Sequence, residues 1–110
     1  MNSKLVESLT DAIIALPKDD YDLFQNTLVS KTIQKTPGVC GGYACIRDTR
    51  IPVWTIVSLI QQGANDQELL IDFEGLTGLD LLICRKYYQT HLEEIDTLIL
   101  SHAQEKDWDV

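Results

Sequence analysis

A chain of 110 residues has the length of one domain, or of one small domain with an appendage. Its 45% hydrophobic and 24% charged residues exclude general disorder, and a net charge of −8 excludes coating nucleic acid by bulk charge, because phosphate needs a positive field. Apolar runs such as Leu79 to Cys84 fall far short of the roughly 20 residues of a membrane span, and the N-terminus shows no export signal, so a soluble cytoplasmic protein is expected.

Leu5, Leu9, Ile13 and Leu16 are spaced as one stripe of an α-helix, which Pro17 ends by disfavouring helical geometry just before it. A second, short helix is predicted from Asp19 or Asp20, where acidic residues suit a helix N-terminus, with Leu23 or Phe24 and then Leu28 on its apolar face. Residues 1–36 thus read as a helical hairpin arm. Its apolar stripe needs a partner, either the rest of the chain or another subunit.

Thr36, Pro37 and Gly38 open a second unit over residues 37–110. From Val39 to Val53 the helical period disappears, and β-prone residues flank the polar tetrad Arg47, Asp48, Thr49 and Arg50, as in a small β-hairpin. Asp48 suits a turn position, because Asp tolerates left-handed geometry and can bond to its own backbone, and Pro52, which cannot donate to a ladder, makes its strand an edge or ends it.

Val53, Ile56, Val57 and Ile60 restart the helical period, which closes at Gly63. Asn65 followed by Glu68 marks the start of a short helix through Phe73 that should bury Leu69, Leu70 and Phe73. Thr77 followed by Asp80 opens the last helix, read as continuous from about Gly78 to about Gln104. The fold class is mainly α: a homeodomain-like, helix-turn-helix three-helix core preceded by a β-hairpin, with an N-terminal helical hairpin and a long C-terminal helix.

Two stripes run along that last helix, one through Leu79, Leu82, Ile83 and Tyr87, the other through Leu81, Cys84, Tyr88, Leu92, Ile95 and Ile99. A rod of ~27 residues is about 40 Å long, more than a core of this size covers. A homodimer is therefore expected, with Leu81, Tyr88, Leu92, Ile95 and Ile99 as candidate dimer or partner interface. The reading of the protein as a binder of macromolecules leans on this unbroken rod.

Three cysteines without an export signal argue against a disulfide framework. A metal site would draw on His91 and His102, but on one helix these stand about 16 Å apart, too far to meet at one ion, so no metal is expected. No phosphate-binding or dinucleotide glycine loop and no nucleophile elbow is present, Cys84 and His91 are about 10 Å apart, and no enzyme activity or cofactor is expected. Eleven of the seventeen acidic residues lie from Asp66 to Asp109, as solvated helix faces.

Only residues 37–65 are net positive, with two basic residues and one acidic. Arg47 and Arg50 flank the turn, and Arg85 and Lys86 form the other basic pair near the core. With Thr49 they are the candidate nucleic-acid contacts, since guanidinium groups on a turn grip phosphate bidentately, although each arginine could instead pair with a local acid such as Asp48. In a helix-turn-helix the helix from Asp66 would cross the backbone and that from Gly78 would face the major groove, where Asp80 repels phosphate.

The stretch from Gly42 to Val53, reading Gly-Tyr-Ala-Cys-Ile-Arg-Asp-Thr-Arg-Ile-Pro-Val, resembles the signature G-K-P-x-I-x-G-T-R-I-P-V of the domain-of-unknown-function 433 family of small bacterial proteins. The likeness covers roughly Thr36 to His91 and includes Ile60-Gln-Gln-Gly63 and Leu76-Thr77. Within the motif Arg47, Thr49, Arg50, Ile51 and Pro52 carry over. Tyr43-Ala44 replaces Lys-Pro and Asp48 replaces glycine, which makes the hairpin less basic. The resemblance implies an antitoxin of a bacterial toxin–antitoxin pair that binds a PIN-like RNase toxin and, as a dimer, operator DNA. The alternatives are a DNA-binding transcriptional regulator without a toxin, or a structural dimerisation module.

Overall fold

The computed structural model describes residues 2–108, with side-chain surroundings for residues 2–103. The C-terminal acids Glu105, Asp107 and Asp109, read above as part of a solvated face, lie outside the described side chains.

Helix α1 (Ser3–Ile14) starts where the Asn2 side chain accepts the Leu5 N–H at 3.0 Å. It buries no residue, and its stripe of Leu5, Leu9 and Ile13 is open to solvent. Helix α2 (Lys18–Thr32) begins at Pro17 as expected but runs for 15 residues, twice the reach of a short helix. Its far end carries Leu28 and Val29 onto the core and leads directly into strand β1 (Ile33–Gln34). Two helices form on either side of Pro17, but only α2 belongs to the body, and the whole molecule measures 54 × 29 × 27 Å.

The expected hairpin is present as β2 (Cys45–Ile46) and β3 (Ile51–Pro52), paired antiparallel with Ile46 opposite Ile51. It is part of a three-stranded sheet in the order β1-β2-β3, because β1 pairs antiparallel with β2, Ile33 opposite Ile46. The sheet's first strand thus comes from within the segment read as the arm. Pro52 sits on the edge strand, where its missing N–H costs nothing. In the turn, Thr49 N–H bonds the Ile46 carbonyl at 3.0 Å. Asp48 lies in this turn, whose left-handed positions are Arg47 (φ 42°) and Arg50 (φ 62°).

Helix α3 (Val53–Gln61) follows, with Gly63 just past its end at φ 104°, a conformation that favours glycine. Helix α4 (Asp66–Asp72) has the predicted capping box, Asn65 and Glu68 exchanging bonds of 2.9 and 3.2 Å. Helix α5 (Gly78–Thr90) has the second box, between Thr77 and Asp80. Of the residues expected under α4, Leu69 is buried and Phe73 half-buried, but Leu70 is exposed. Adjacent residues of a helix point about 100° apart, so the face that buries Leu69, and Phe73 four residues on, turns Leu70 outward.

The continuous rod from Gly78 to Gln104 does not exist. It breaks at His91 (φ −138°, ψ 42°), and a separate helix α6 (Leu92–Trp108) returns across α3. Thr90 and His91 explain the break. The Thr90 hydroxyl donates back to the Tyr87 carbonyl at 3.1 Å, and His91 Nδ1 lies 3.0 Å from the same oxygen, so side chains take over carbonyl positions that helix continuation would need. Glu93 and Glu94 then occupy the first turn of α6, where the helix dipole favours them.

The return of α6 accounts for the second stripe. Ile95 is fully buried, Ile99 packs on the core, and His102 stacks on Trp54 of α3 with ring centroids 3.9 Å apart. Leu81 is equally buried. Leu81 and Ile95 are therefore residues of this chain's own core and not of an interface. The case for a second copy made from the length of the rod falls with the rod, and so does the support that the rod lent to the reading as a binder of macromolecules, which needs another surface to carry it.

Candidate partner-binding surface

The turn between β2 and β3 holds three of the residues predicted to meet nucleic acid, and two of them face inward. Arg47 reaches α5, where its Nε donates to Asp80 Oδ1 at 3.1 Å, one Nη to Oδ2 at 2.5 Å, and the same Nη to the Gly75 carbonyl at 3.0 Å. Thr49 donates its hydroxyl to the Ile46 carbonyl at 2.6 Å and accepts the Ile51 N–H at 3.1 Å, which closes the turn. Arg50 stays exposed and makes no ion pair among the described residues.

Asp80 is only 3% exposed. Burial pushes its carboxyl up, but the bonds from Arg47 and from the Thr77 backbone and hydroxyl together outweigh burial and hold it below the ordinary carboxylate value. The same bond raises Arg47. The Arg47–Asp80 contact therefore joins the sheet to the first turn of α5, and Asp80 faces its arginine, not a groove of DNA.

Arg85 on α5 pairs with Asp66 of α4 at 2.5 Å, while Lys86 has no ion pair among the described residues. Of five candidate nucleic-acid contacts, Arg50 and Lys86 remain available. Tyr88 donates to Asp96 at 2.7 Å and so ties α5 to α6, which leaves Leu92, half exposed, as the open member of the five candidate interface residues.

What the sequence reading missed is the outer face of α4 and its continuation. Ile71 is 81% exposed and Leu70 39%, and Leu79, at the head of α5, is 51% exposed. Around them stand Glu68, Asp72 and Glu74, all exposed, and α4 has no basic residue. The signal was present as two apolar residues directly after Leu69, because three consecutive helix positions spread over about 200° and cannot share one buried face.

A second region links β1, α5 and α6. Lys35 donates to Glu94 at 2.9 Å, and Tyr87 donates to the other Glu94 oxygen at 2.8 Å. Burial raises Glu94, and the Lys35 and Tyr87 bonds more than reverse it. Beside this link lies a shallow cavity of about 440 Å³ edged by Gly42, Tyr43, Thr97 and Leu98. Among the described residues no three of His, Cys, Asp and Glu gather as metal ligands, and no helix is long and apolar enough to cross a membrane.

The family profile described as "Protein of unknown function (DUF433)" matches residues 33–88, which begin at β1 and end in the last turn of α5. A crystal structure of a DUF433 member protein from Anabaena variabilis is similar over 91% of this chain and 99% of that one, at 48% identity and a TM-score of 0.62. No curated protein matches the chain.

Proposed function

We propose, from the premise that this chain belongs to the DUF433 family, that it is an antitoxin which caps a basic PIN-like RNase through the outer face of α4. The observation that carries this reading is the pair Leu70 and Ile71, exposed on a helix whose charges are all negative. An apolar centre ringed by carboxylates suits a protein partner with basic rims around an apolar hollow. The same helix would cross the phosphate backbone in a homeodomain-like arrangement, and Asp66, Glu68 and Asp72 on it repel phosphate. Operator DNA is accordingly a secondary partner in this reading, held by Arg50 and Lys86 of a dimer.

The test is inhibition of RNA cleavage by a PIN-like RNase encoded beside this gene. Wild-type protein should inhibit at stoichiometric concentration, and Ile71→Arg should weaken inhibition by roughly tenfold or more, the cost of losing a central apolar anchor. Inhibition unchanged in Ile71→Arg removes α4 from the interface. Operator binding by the protein alone, steeply salt-dependent and lost in Arg50→Ala, favours the transcriptional regulator instead.

A further inference from the structure

The loop before β2 brings two of the three thiols together. Gly42 N–H donates to the Val39 carbonyl at 2.8 Å and Tyr43 N–H to the Cys40 carbonyl at 3.2 Å, so the chain reverses between Cys40 and Cys45. Cys40, Gly41 and Gly42 make that reversal in left-handed geometry, at φ 51°, 67° and 83°. Residues other than glycine take it uncommonly. At its end Cys45 enters the middle strand of the sheet, and the Cys40 and Cys45 thiols share a hydrogen bond.

The two thiols are not equivalent. Cys45 is 2% exposed, whereas Cys40 is half-buried and open to a small reagent. Across the β2–β3 turn the Arg50 backbone N–H donates to the Cys45 sulfur. An N–H aimed at sulfur favours thiolate over thiol, which readies a buried sulfur to act as a nucleophile once its proton has left. Cys84, buried on α5, has no thiol among the groups acting on it.

We propose that Cys40 and Cys45 are a reversible dithiol–disulfide pair oxidised by low-molecular-weight disulfides, Cys40 being the attacking thiol and Cys45 the resolving one. The Cys40 thiolate attacks one sulfur of R–S–S–R, a Cys40–S–S–R bond forms, and the R–S⁻ that leaves is protonated to R–SH. The Cys45 thiolate then attacks the Cys40 sulfur, the Cys40–Cys45 bond forms, and the second R–S⁻ leaves and is protonated in turn. The two protein thiols give up two electrons and two protons, and the small disulfide takes up both. A dithiol reductant reverses the sequence. Because burial holds the proton on Cys45, closure is the slow step. The closed bond ties the loop before β2 to the middle strand of the sheet. This rests on the thiols and not on the antitoxin reading, and it leaves the outer face of α4 untouched.

Oxidised glutathione is the probe. On the full chain it should first add one glutathione to Cys40 and then lose it, leaving a protein two hydrogens lighter in which the Cys40 and Cys45 peptides are joined. The second step should accelerate about tenfold per unit of pH from about pH 7 to 9, following the Cys45 thiolate. Cys45→Ala, which keeps a small apolar side chain in the sheet, should stop at the glutathione adduct, and Cys40→Ser should take up none. Circular dichroism checks the fold of each variant, and the peptide map of oxidised wild-type protein decides the matter should Cys45→Ala fail to fold. An adduct that persists on wild-type Cys40 at pH 9, a bond from Cys40 to Cys84, or a disulfide joining two chains overturns the proposal. In none of these outcomes does inhibition of the RNase by α4 have to change.

Discussion

Arg47 and Asp80, thirty-three positions apart in sequence, are joined by two guanidinium nitrogens on two carboxylate oxygens, a pair of bonds between a turn of the sheet and the first turn of α5. The turn's left-handed geometry at Arg47 sends the side chain toward α5, and the cap at Thr77 holds the carboxylate in place to receive it. Two polar groups that a sequence reading assigns to opposite roles, one to grip phosphate and the other to repel it, here satisfy each other.

Removing the arginine strands a carboxylate that is 4% exposed. Loss of one partner of a buried ion pair costs about 3–5 kcal/mol, and since the Arg47 side chain is 37% exposed, screening by water brings the expected cost of Arg47→Ala to about 2–3 kcal/mol. Arg50→Ala, with no ion pair among the described residues to break, should stay within about 0.5 kcal/mol. Urea unfolding midpoints of the two variants measure the difference, and equal midpoints would falsify the structural role of Arg47.

The same pair sets an acid limit. Asp80 and Glu94 both sit below the ordinary carboxylate value in the fold, the first chiefly through Arg47 and Thr77 and the second through Lys35 and Tyr87, each against the upward push of burial. Groups whose folded values are depressed contribute stability above their unfolded values, near pH 4, and lose it as pH falls through the folded ones. The melting temperature should therefore hold between pH 7 and 5 and drop below about pH 4. Asp80→Asn, less stable at neutral pH, should show a shallower drop. A wild-type protein equally stable at pH 3 and pH 7 contradicts this.

The three thiols should separate by reactivity. Burial pushes Cys84 up to about 12, and burial with a bond to Cys40 pushes Cys45 up to about 11, so neither presents thiolate at neutral pH. Cys40, half-buried on the short helical turn before β2, is the accessible one. Titration with a chromogenic disulfide at pH 7.5 should release one equivalent quickly from native protein and three in denaturant, and Cys40→Ser should abolish the fast equivalent.

Local signals in the sequence proved readable where backbone geometry alone decides the outcome. Asn65 with Glu68 and Thr77 with Asp80 are capping boxes whatever surrounds them, and Pro17, Pro52 and Gly63 punctuate through fixed φ or freedom of φ. The break at His91 was harder to see because no proline or glycine marks it. The marks that were there, Thr90 and His91 followed by Glu93 and Glu94, are weaker. β1 was hidden because a strand of two residues has no period, and its partner β2 is twelve positions away. The site was less legible than the fold. That Arg47 turns inward depends on which residue of the tetrad takes positive φ, and that Leu70 and Ile71 stay outside depends on which face of α4 meets the core.

Ile95 and Leu92 provide the sharpest measure of how α6 packs, because one helix turn separates a fully buried side chain from a half-exposed one. If α6 returns onto α3 within one chain, Ile95→Ala opens a cavity in that chain's core and costs about 2–4 kcal/mol. Leu92→Ala should cost no more than about 0.5 kcal/mol. The two costs should also be independent of protein concentration, since the core that holds Ile95 belongs to one chain. Were α6 a continuation of α5 that packs on a second molecule, the Ile95 penalty would instead grow on dilution, as the loss of an intermolecular contact must. Urea midpoints of both variants at protein concentrations a hundredfold apart distinguish the two arrangements.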